Sequence, residues 1–470
     1  MLTYTLEKNR KDGLYEQLYR CIKADILSGT LRTGEKLPSK RMLAEHLEVS
    51  VVTVRNAYEQ LMAEGYIYGV EKRGYFVSEV DRPLQAPAQS ALPAAAQSEE
   101  PWLVDFAANS ISEENFPFTV WSKMMRRTIL EQDVGLLRPT PYNGALALRQ
   151  AIADYLYQFR GLTVSPEQII VGAGTEILYN LLVQLLGREK HYAVEDPGYR
   201  KIAKIYESNR VPLHHIMLDE AGMPADELRR QGVDVIHISP SHHYPTGMVM
   251  PIGRRQELLR WAGQQPGRYI LEDDYDSEFR FVGRPIPTLF SIDKNERVIY
   301  LNTFSKTIAP SIRISYMILP PHLLEAYREH LGFYACTVSS FEQYTLAAFM
   351  EQGRYEQHIN RMRNRYRQKR DAVIRMIRTG PLAHWAEIME QDAGLHFLVK
   401  LNSSITDDEL HRRASASGIR LMMLSDYYHD ARESRRHILV VNYSGIALER
   451  LAEGFDRLAT ILEQEENGNV

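Results

Sequence analysis

Three short stretches, and an arginine that follows the last, carry residue types that could act on one ligand. "GAGTE" (residues 172–176) sits where a strand gives way to a helix. Its small residues let backbone N–H groups come close to an anion, and a helix start adds positive potential. "LEDDY" ends an apolar run with two carboxylates in series, Asp273 and Asp274. A carboxylate buried there needs a cationic partner. "TFSK" places Thr303, Ser305 and Lys306 at the end of another apolar run, and Arg313 follows the lysine seven positions on. Each stretch has a plain structural reading as a glycine turn, an ion pair or a surface lysine. Together they fit a ligand that offers a carbonyl to the lysine, a ring nitrogen to the aspartate and a phosphate to the rest, as pyridoxal phosphate does. A mononucleotide would use the cup and the arginine but leave Lys306 and Asp273 without a task.

These residues need strand ends to hold them. "QIIVGAG" (168–174), "HYAVEDPGY" (191–199), "DVIHISPS" (234–241), "RYILEDDY" (268–275) and "RVIYLNTFSK" (297–306) are short apolar runs that end in polar residues. Helical stretches alternate with them. Such alternation predicts an α/β fold with a mostly parallel, doubly wound sheet covered on both faces. Sheets of this kind bind ligands beyond the carboxyl ends of their strands. From about Tyr327 a long helix is expected, followed by the apolar runs "GLHFLVKL" and "HILVVNYS", which read as a smaller α+β lobe.

The first 80 residues have another character. Leu14, Leu18, Ile22, Ile26 and Leu27 recur at helical spacing and Gly29 supplies a stop. Ser39 and Ser50 are good N-caps for a short helix and a second one, separated by a turn at Glu48–Val49. "YIYGVEKRGYFV" then alternates as a two-stranded wing would. Three helices and a hairpin predict a winged helix-turn-helix. In such a module Ser50, Thr53, Arg55 and Asn56 would meet base edges, Ser39, Lys40 and Arg41 would grip phosphates, and Lys72 and Arg73 would set the wing against the backbone or minor groove of double-stranded DNA. A winged helix that serves protein contacts is the competing reading. A second basic stretch, "HINRMRNRYRQKR" (358–370), spreads arginines around a helix and reads chiefly as a solvated or ion-paired face.

Between the halves, "DRPLQAPAQSALPAAAQSEEP" is rich in Pro, Ala, Gln and Ser and reads as a linker. The expected division is therefore 1–80 as a DNA-binding domain, 81–101 as a linker and 102–470 as a ligand-binding domain, with a large lobe at about 130–325 and a small one at about 326–470. Composition sets few limits. The chain has 470 residues, 44% hydrophobic and 25% charged, with a formal net charge of -4. Residues 1–80 hold 12 Lys and Arg against 11 Asp and Glu, so bulk charge does not decide whether nucleic acid binds there. Cys21 and Cys336 are far apart in sequence and suggest neither a metal site nor a disulfide framework. No signal peptide and no run of about 18 apolar residues is evident, so a cytoplasmic protein that does not span a membrane is expected.

Taken in order, "GAGTE", "EDPGY", "SPSHHYPTG", "EDDYDSEF" and "TFSKTIAPSIRISYMILP" resemble class I aminotransferases of fold type I. With "YEQLYRCIKADILSGTLRTGEKLPSKRMLAEHLEVSVVTVRNAYEQL" in front, the whole chain apart from the linker resembles the MocR (GabR-like) branch of the GntR transcriptional regulators. The resemblance implies that Lys306 is the Schiff-base lysine of pyridoxal 5'-phosphate. It implies that Asp273 faces the pyridine nitrogen, with Asp274 as the alternative if the register is one off. Tyr275 would reach the phenolic oxygen and Tyr199 would stack on the ring. Ala173, Gly174, Thr175, Thr303, Ser305 and Arg313 would hold the phosphate. A domain-swapped homodimer on an operator is also implied, with a small amine, an amino acid or the cofactor itself as effector.

Two departures bear on function. Tyr244 stands in "YPTG" where the enzymes have asparagine, and Val440 stands in "HILVVNYS" where members that bind an amino-acid carboxylate have arginine. Valine cannot clamp a carboxylate as a guanidinium does. Arg432, Arg435, Arg436, Arg200 and Lys201 are the candidate substitutes. The expectation is a regulator that uses the cofactor to sense a small molecule; a working aminotransferase tethered to DNA is the alternative.

Overall fold

The computed structural model describes residues 2–7, 12–80, 102–107, 113–281, 286–389 and 394–468, which pack as two compact units divided between Glu100 and Pro101. The expected linker at 81–101 lies outside the described residues.

In the first unit, helices α1 (Leu14–Ser28), α2 (Lys40–His46) and α3 (Val51–Ala63) precede strands β1 (Ile67–Val70) and β2 (Gly74–Val77), which pair antiparallel. Leu18, Ile22 and Ile26 of α1 meet Val54, Ala57, Tyr58 and Leu61 of α3 in one core. Gly29 ends α1 in the left-handed conformation (φ 81°), where glycine meets no steric penalty. The Ser39 hydroxyl accepts from the Met42 amide at 3.3 Å and the Ser50 hydroxyl from the Thr53 amide at 3.0 Å, so both serines cap the helices they precede. This is a winged helix-turn-helix.

The second unit is built on a seven-stranded sheet. Its strands are β4 (Ile169–Gly172), β5 (Tyr192–Asp196), β6 (Leu213–Met217), β7 (Val235–Ile238), β8 (Tyr269–Asp273), β9 (Val298–Thr303) and β10 (Ser315–Ile318), in the spatial order β4-β10-β9-β8-β7-β5-β6; β3 is the short strand Val104–Asp105 outside it. β5, β7, β8 and β9 are buried along their whole length, as runs covered on both faces must be. Five of the seven strands are those expected. β6 is an edge strand whose polar "LHHIM" hides the pattern. β10 runs antiparallel to both β4 and β9, so the sheet is mostly rather than wholly parallel. That reversal matters, because the start of β10 lies beside the ends of its neighbours: Ser315 pairs with both Thr303 and Gly172.

Helices α4 (Phe118–Gln132), α5 (Leu146–Arg160), α6 (Thr175–Leu186) and α7 (Arg200–Ser208) open the helical cover of the sheet. The single long helix expected from about Tyr327 is three: Leu324–Leu331, Ser340–Glu351 and Arg354–Thr379. Gly353, at φ 66°, makes the last break. Tyr355 and Ile359 of the third helix pack with the sheet, whereas Met362 and Tyr366 belong to the core beneath β11 (Ala386–Met389), β12 (His396–Leu401) and β14 (Ile438–Asn442). That second sheet is antiparallel. β13 (Ile419–Arg420) pairs parallel with β3. The basic stretch 358–370 keeps Arg361, Arg365 and Arg367 exposed and pairs Arg370 with Asp371, and its cations are engaged as well: Arg363, Arg367 and Lys369 donate to the carbonyls of Glu278, Phe281 and Ser444, and Arg365 to Asn115 Oδ1. No helix among the described residues is long and apolar enough to cross a membrane.

Candidate functional site

A cavity of about 1180 Å³ opens beyond the carboxyl ends of the sheet strands, and Thr175, Tyr199, Asp273, Tyr275, Thr303, Ser305, Lys306 and Arg313 all line it. Strand direction explains the gathering. β8 delivers Asp273 at its end, β9 delivers Thr303 at its end and Lys306 just past it, and the antiparallel β10 delivers Arg313 just before its start.

Asp273 faces the cavity side of the sheet. Its Oδ2 accepts from the Tyr179 hydroxyl at 2.5 Å and lies 3.5 Å from His237 Nε2. Its Oδ1 is buried with no hydrogen-bond partner among the described residues. Asp274 points elsewhere: its Oδ2 is taken by Arg160, by the Tyr300 hydroxyl at 2.7 Å and by Ser277 at 2.8 Å. The two neighbouring carboxylates thus have different surroundings, and of the two only Asp273 lines the cavity.

Lys306 is mostly buried, and burial lowers its ammonium to about 8; the Lys201 charge adds to this and the Asp276 charge opposes it. The Thr303 hydroxyl accepts from the Ser305 amide at 3.1 Å and from Ser315 Oγ at 2.8 Å, so it braces the loop. Ser305 Oγ is buried with no hydrogen-bond partner among the described residues. Beyond Lys306, Thr307 is pinned by Tyr355 and His358 of the helix Arg354–Thr379.

The expected cup is narrower than its motif. Thr175 lines the cavity, but Ala173 and Gly174 do not: the Ala173 amide donates to Thr337 Oγ1 and the Gly174 amide to the Gly172 carbonyl, each at 2.9 Å. Gly174 contributes space instead. It sits at φ 91°, and a Cβ there would fall 2.1 Å from Arg313 Nη2. Arg313, itself at φ 53°, bonds Glu176 Oε2 at 2.5 Å, and Glu176 also takes Lys201. Burial opposes ionisation of Glu176, yet the bonds from Lys201 and Arg313 hold its carboxyl below the usual range.

Val440 is fully buried among Tyr244, Leu398, Leu424 and Tyr427 and does not line the cavity. Tyr244 bonds Tyr427 hydroxyl to hydroxyl at 2.6 Å. Of the five candidate substitutes, Arg200 and Lys201 line the cavity; Arg432 is paired with Asp430, and Arg435 and Arg436 do not line it. Arg420, which sequence reasoning missed, also lines the cavity. Tyr179, Glu176 and Arg160 were missed as well. Tyr179 follows Thr175 by one helical turn and was findable on that spacing, whereas Arg160 gives no local signal.

In the first unit Arg41, Arg55, Lys72 and Arg73 are exposed, as are Ser39 and Ser50, whose hydroxyls are engaged in caps. Thr53 Oγ1 lies 2.8 Å from Ser50 Oγ, and Asn56 is half-buried. Lys40 stands over the Tyr75 ring at 5.2 Å, and Arg55 is 3.8 Å from Glu59. Val51 and Val52 are exposed at the start of α3.

Residues 14–77 match the model of bacterial regulatory proteins of the gntR family, and residues 102–429 match aminotransferase class I and II. The uncharacterized HTH-type transcriptional regulator YdeL of Bacillus subtilis is 37% identical over 97% of this chain and 98% of its own. The probable rhizopine catabolism regulatory protein MocR of Rhizobium meliloti is 31% identical over 98% of this chain and 97% of its own. Among solved structures, the kynurenine aminotransferase of Pyrococcus horikoshii superposes with a TM-score of 0.69 at 23% identity, covering 78% of this chain and 92% of that one, and so shares the fold of the second unit. With both modules matched in this order and relatives similar from end to end, the chain belongs to the MocR-like branch of the gntR-family regulators, in which a helix-turn-helix is joined to an aminotransferase-like domain.

Proposed function

We propose that the protein binds pyridoxal 5'-phosphate and uses it to sense a small amine or amino acid, or free cofactor, and so to adjust its hold on an operator. The observation that carries this reading is the meeting of a mostly buried Lys306 with the unpaired Asp273 Oδ1 in one cavity. The donor set fits the group: the carboxylate oxygen answers a protonated ring nitrogen, and Ser305 Oγ and Arg313 answer a phosphate. When bound, the cofactor supplies a carbonyl for amines and a ring that withdraws electrons. Lys306 is the tether, Tyr275 the partner of the phenolic oxygen and Tyr199 the ring contact. Thr175, Ser305 and Arg313 grip the phosphate, with Thr303 bracing the loop. Gly174 gives Arg313 its room, and Ala173 holds the turn through Thr337.

On the DNA side, Arg41, Lys72 and Arg73 contact phosphates with Ser39 and Lys40, and Ser50, Thr53, Arg55 and Asn56 face the bases. The chain acts as a homodimer in the cytoplasm, where an operator is reachable. In support of the dimer, Phe118, Leu130, Val134 and Leu137, on and just after α4, stay more than half exposed. Valine at position 440 supports sensing over turnover, because it cannot clamp a substrate carboxylate as a guanidinium does.

The test is spectroscopic. The purified protein should show the visible absorbance of lysine-bound pyridoxal phosphate, Lys306→Ala should lose it, and the same substitution should abolish any effector response in operator binding. Failure to bind the cofactor at saturating concentration defeats the proposal, and steady transamination at ordinary enzymatic rates would favour the enzyme instead.

A further inference from the structure

We propose that Asp276 and His242 are positioning residues for Tyr275, a buried pair that makes its hydroxyl a hydrogen-bond donor into the cavity; this rests on the roles of Lys306 and Tyr275 proposed above. Tyr275 lines the cavity, whereas His242 and Asp276 lie behind it. Asp276 is 2% exposed and His242 4%. His242 Nδ1 is 2.9 Å from Asp276 Oδ2 and 3.3 Å from the Tyr275 hydroxyl. The ring has little freedom to turn away. His396 packs against it with ring centroids 4.6 Å apart, and Gly394 approaches so closely that a Cβ there would fall 1.8 Å from His242 Cε1.

The geometry points to one tautomer. A buried carboxylate requires a donor, and the ring nitrogen facing Asp276 is Nδ1. A lone pair at Nδ1 would set two acceptors against each other. With the proton on Nδ1, that single N–H lies between Asp276 Oδ2 and the tyrosine oxygen, so the tyrosine oxygen accepts on this side. Its own proton must then point away, toward the cavity. Burial, with the charges of Asp276, Asp273 and Glu195 and the neighbouring Tyr244, pushes the Tyr275 hydroxyl well above its ordinary value, so it remains a donor. His243 and His396 flank His242, and burial holds both below the usual imidazole range. Neither contributes positive charge near neutral pH.

Asp276 could also act simply as a charge, since its field favours the charged form of Lys306. The two routes differ in sign. A donor to an oxygen carrying negative charge stabilises that charge and weakens the oxygen's hold on a neighbouring proton. Weakening Tyr275 as a donor therefore raises the pH midpoint of the lysine-bound cofactor's visible absorbance. Loss of a nearby negative charge alone lowers it.

The experiment is a pH titration of that absorbance in the full-length protein loaded with pyridoxal phosphate. Asp276→Asn and His242→Phe should each raise the midpoint by about one pH unit, the scale of one hydrogen bond to a charged group. His242→Asn, which can keep a donor near the Nδ1 position, should stay near wild type. In a Tyr275→Phe background neither substitution should raise it further. A midpoint that falls or stays fixed in Asp276→Asn, or a rise that persists in full without the tyrosine hydroxyl, overturns the proposal. Should Asp276→Asn lose its near-ultraviolet circular dichroism, the contrast between His242→Phe and His242→Asn decides alone. If wild type gives no visible band at saturating cofactor, the role of Lys306 fails and this proposal with it; a band with no response to these substitutions sinks only the positioning pair.

Discussion

Lys306 shows what burial does to a reactive amine. An ammonium lowered to about 8 leaves roughly a tenth of the amine neutral at pH 7, where an ordinary lysine would be almost wholly charged. Attack on a carbonyl needs the neutral form. The rate at which visible absorbance develops when pyridoxal phosphate meets the cofactor-free protein should therefore rise with pH up to about 8 and then level off, as stopped-flow measurement would show. A rate that climbs steadily to pH 10 would mean that burial does not act on the amine in this way. Asp274 supplies a second prediction at the same scale. Its pair with Arg160 is nearly closed to solvent, the two side chains being 1% and 7% exposed. Arg160→Met leaves the carboxylate buried with hydroxyls alone, and the expected loss is about 3–5 kcal/mol in urea unfolding. The sequence made two neighbouring aspartates visible but not their separate tasks, because the partner that claims Asp274 sits at the end of a helix 114 residues away.

Among the elements, legibility followed burial. The strands that end at Asp196, Ile238, Asp273 and Thr303 could be read because burial on both faces demands unbroken apolar runs. β6 escaped notice because an edge strand tolerates His214 and His215. β10 lies within the stretch "TFSKTIAPSIRISYMILP", yet its reversal is not legible there, since strand direction is fixed by the connection and not by the strand's own residues. The turn before α6 shows the same limit. "GAGTE" predicted an anion cup, but local hydrogen bonds consume the amides of Ala173 and Gly174, and the glycine is required by Arg313 from β10. Gly174→Ala should cost about 1–3 kcal/mol of backbone strain and push the guanidinium aside. Roughly tenfold weaker retention of pyridoxal phosphate, read from absorbance titration, is the expected result.

In the whole molecule, the hydrophobic cores divide between two units. The core around Leu18, Val54 and Leu61 draws on the first 80 residues alone, and the remaining cores draw only on residues after 102. Calorimetry of the full chain should accordingly resolve two transitions. Pyridoxal phosphate at about a hundred times its dissociation constant should raise the second alone, by a stabilisation of about 2.7 kcal/mol. A single transition that moves as one would show that the units melt together. The division into a helix-turn-helix and an aminotransferase-like fold was legible because each announces itself by local pattern.

The pairing of Thr303 with Ser315 means that residues 304–314 leave the sheet and return to it at one point. Lys306 and Arg313 thus stand on a single short stirrup of chain, both ends of which are anchored. A ligand tethered at one end by Lys306 and gripped at the other by Arg313 is chelated by that stirrup. Once either attachment forms, the second is intramolecular and proceeds at a high effective concentration. Release requires both attachments to open together, so such a ligand leaves far more slowly than either grip alone would allow.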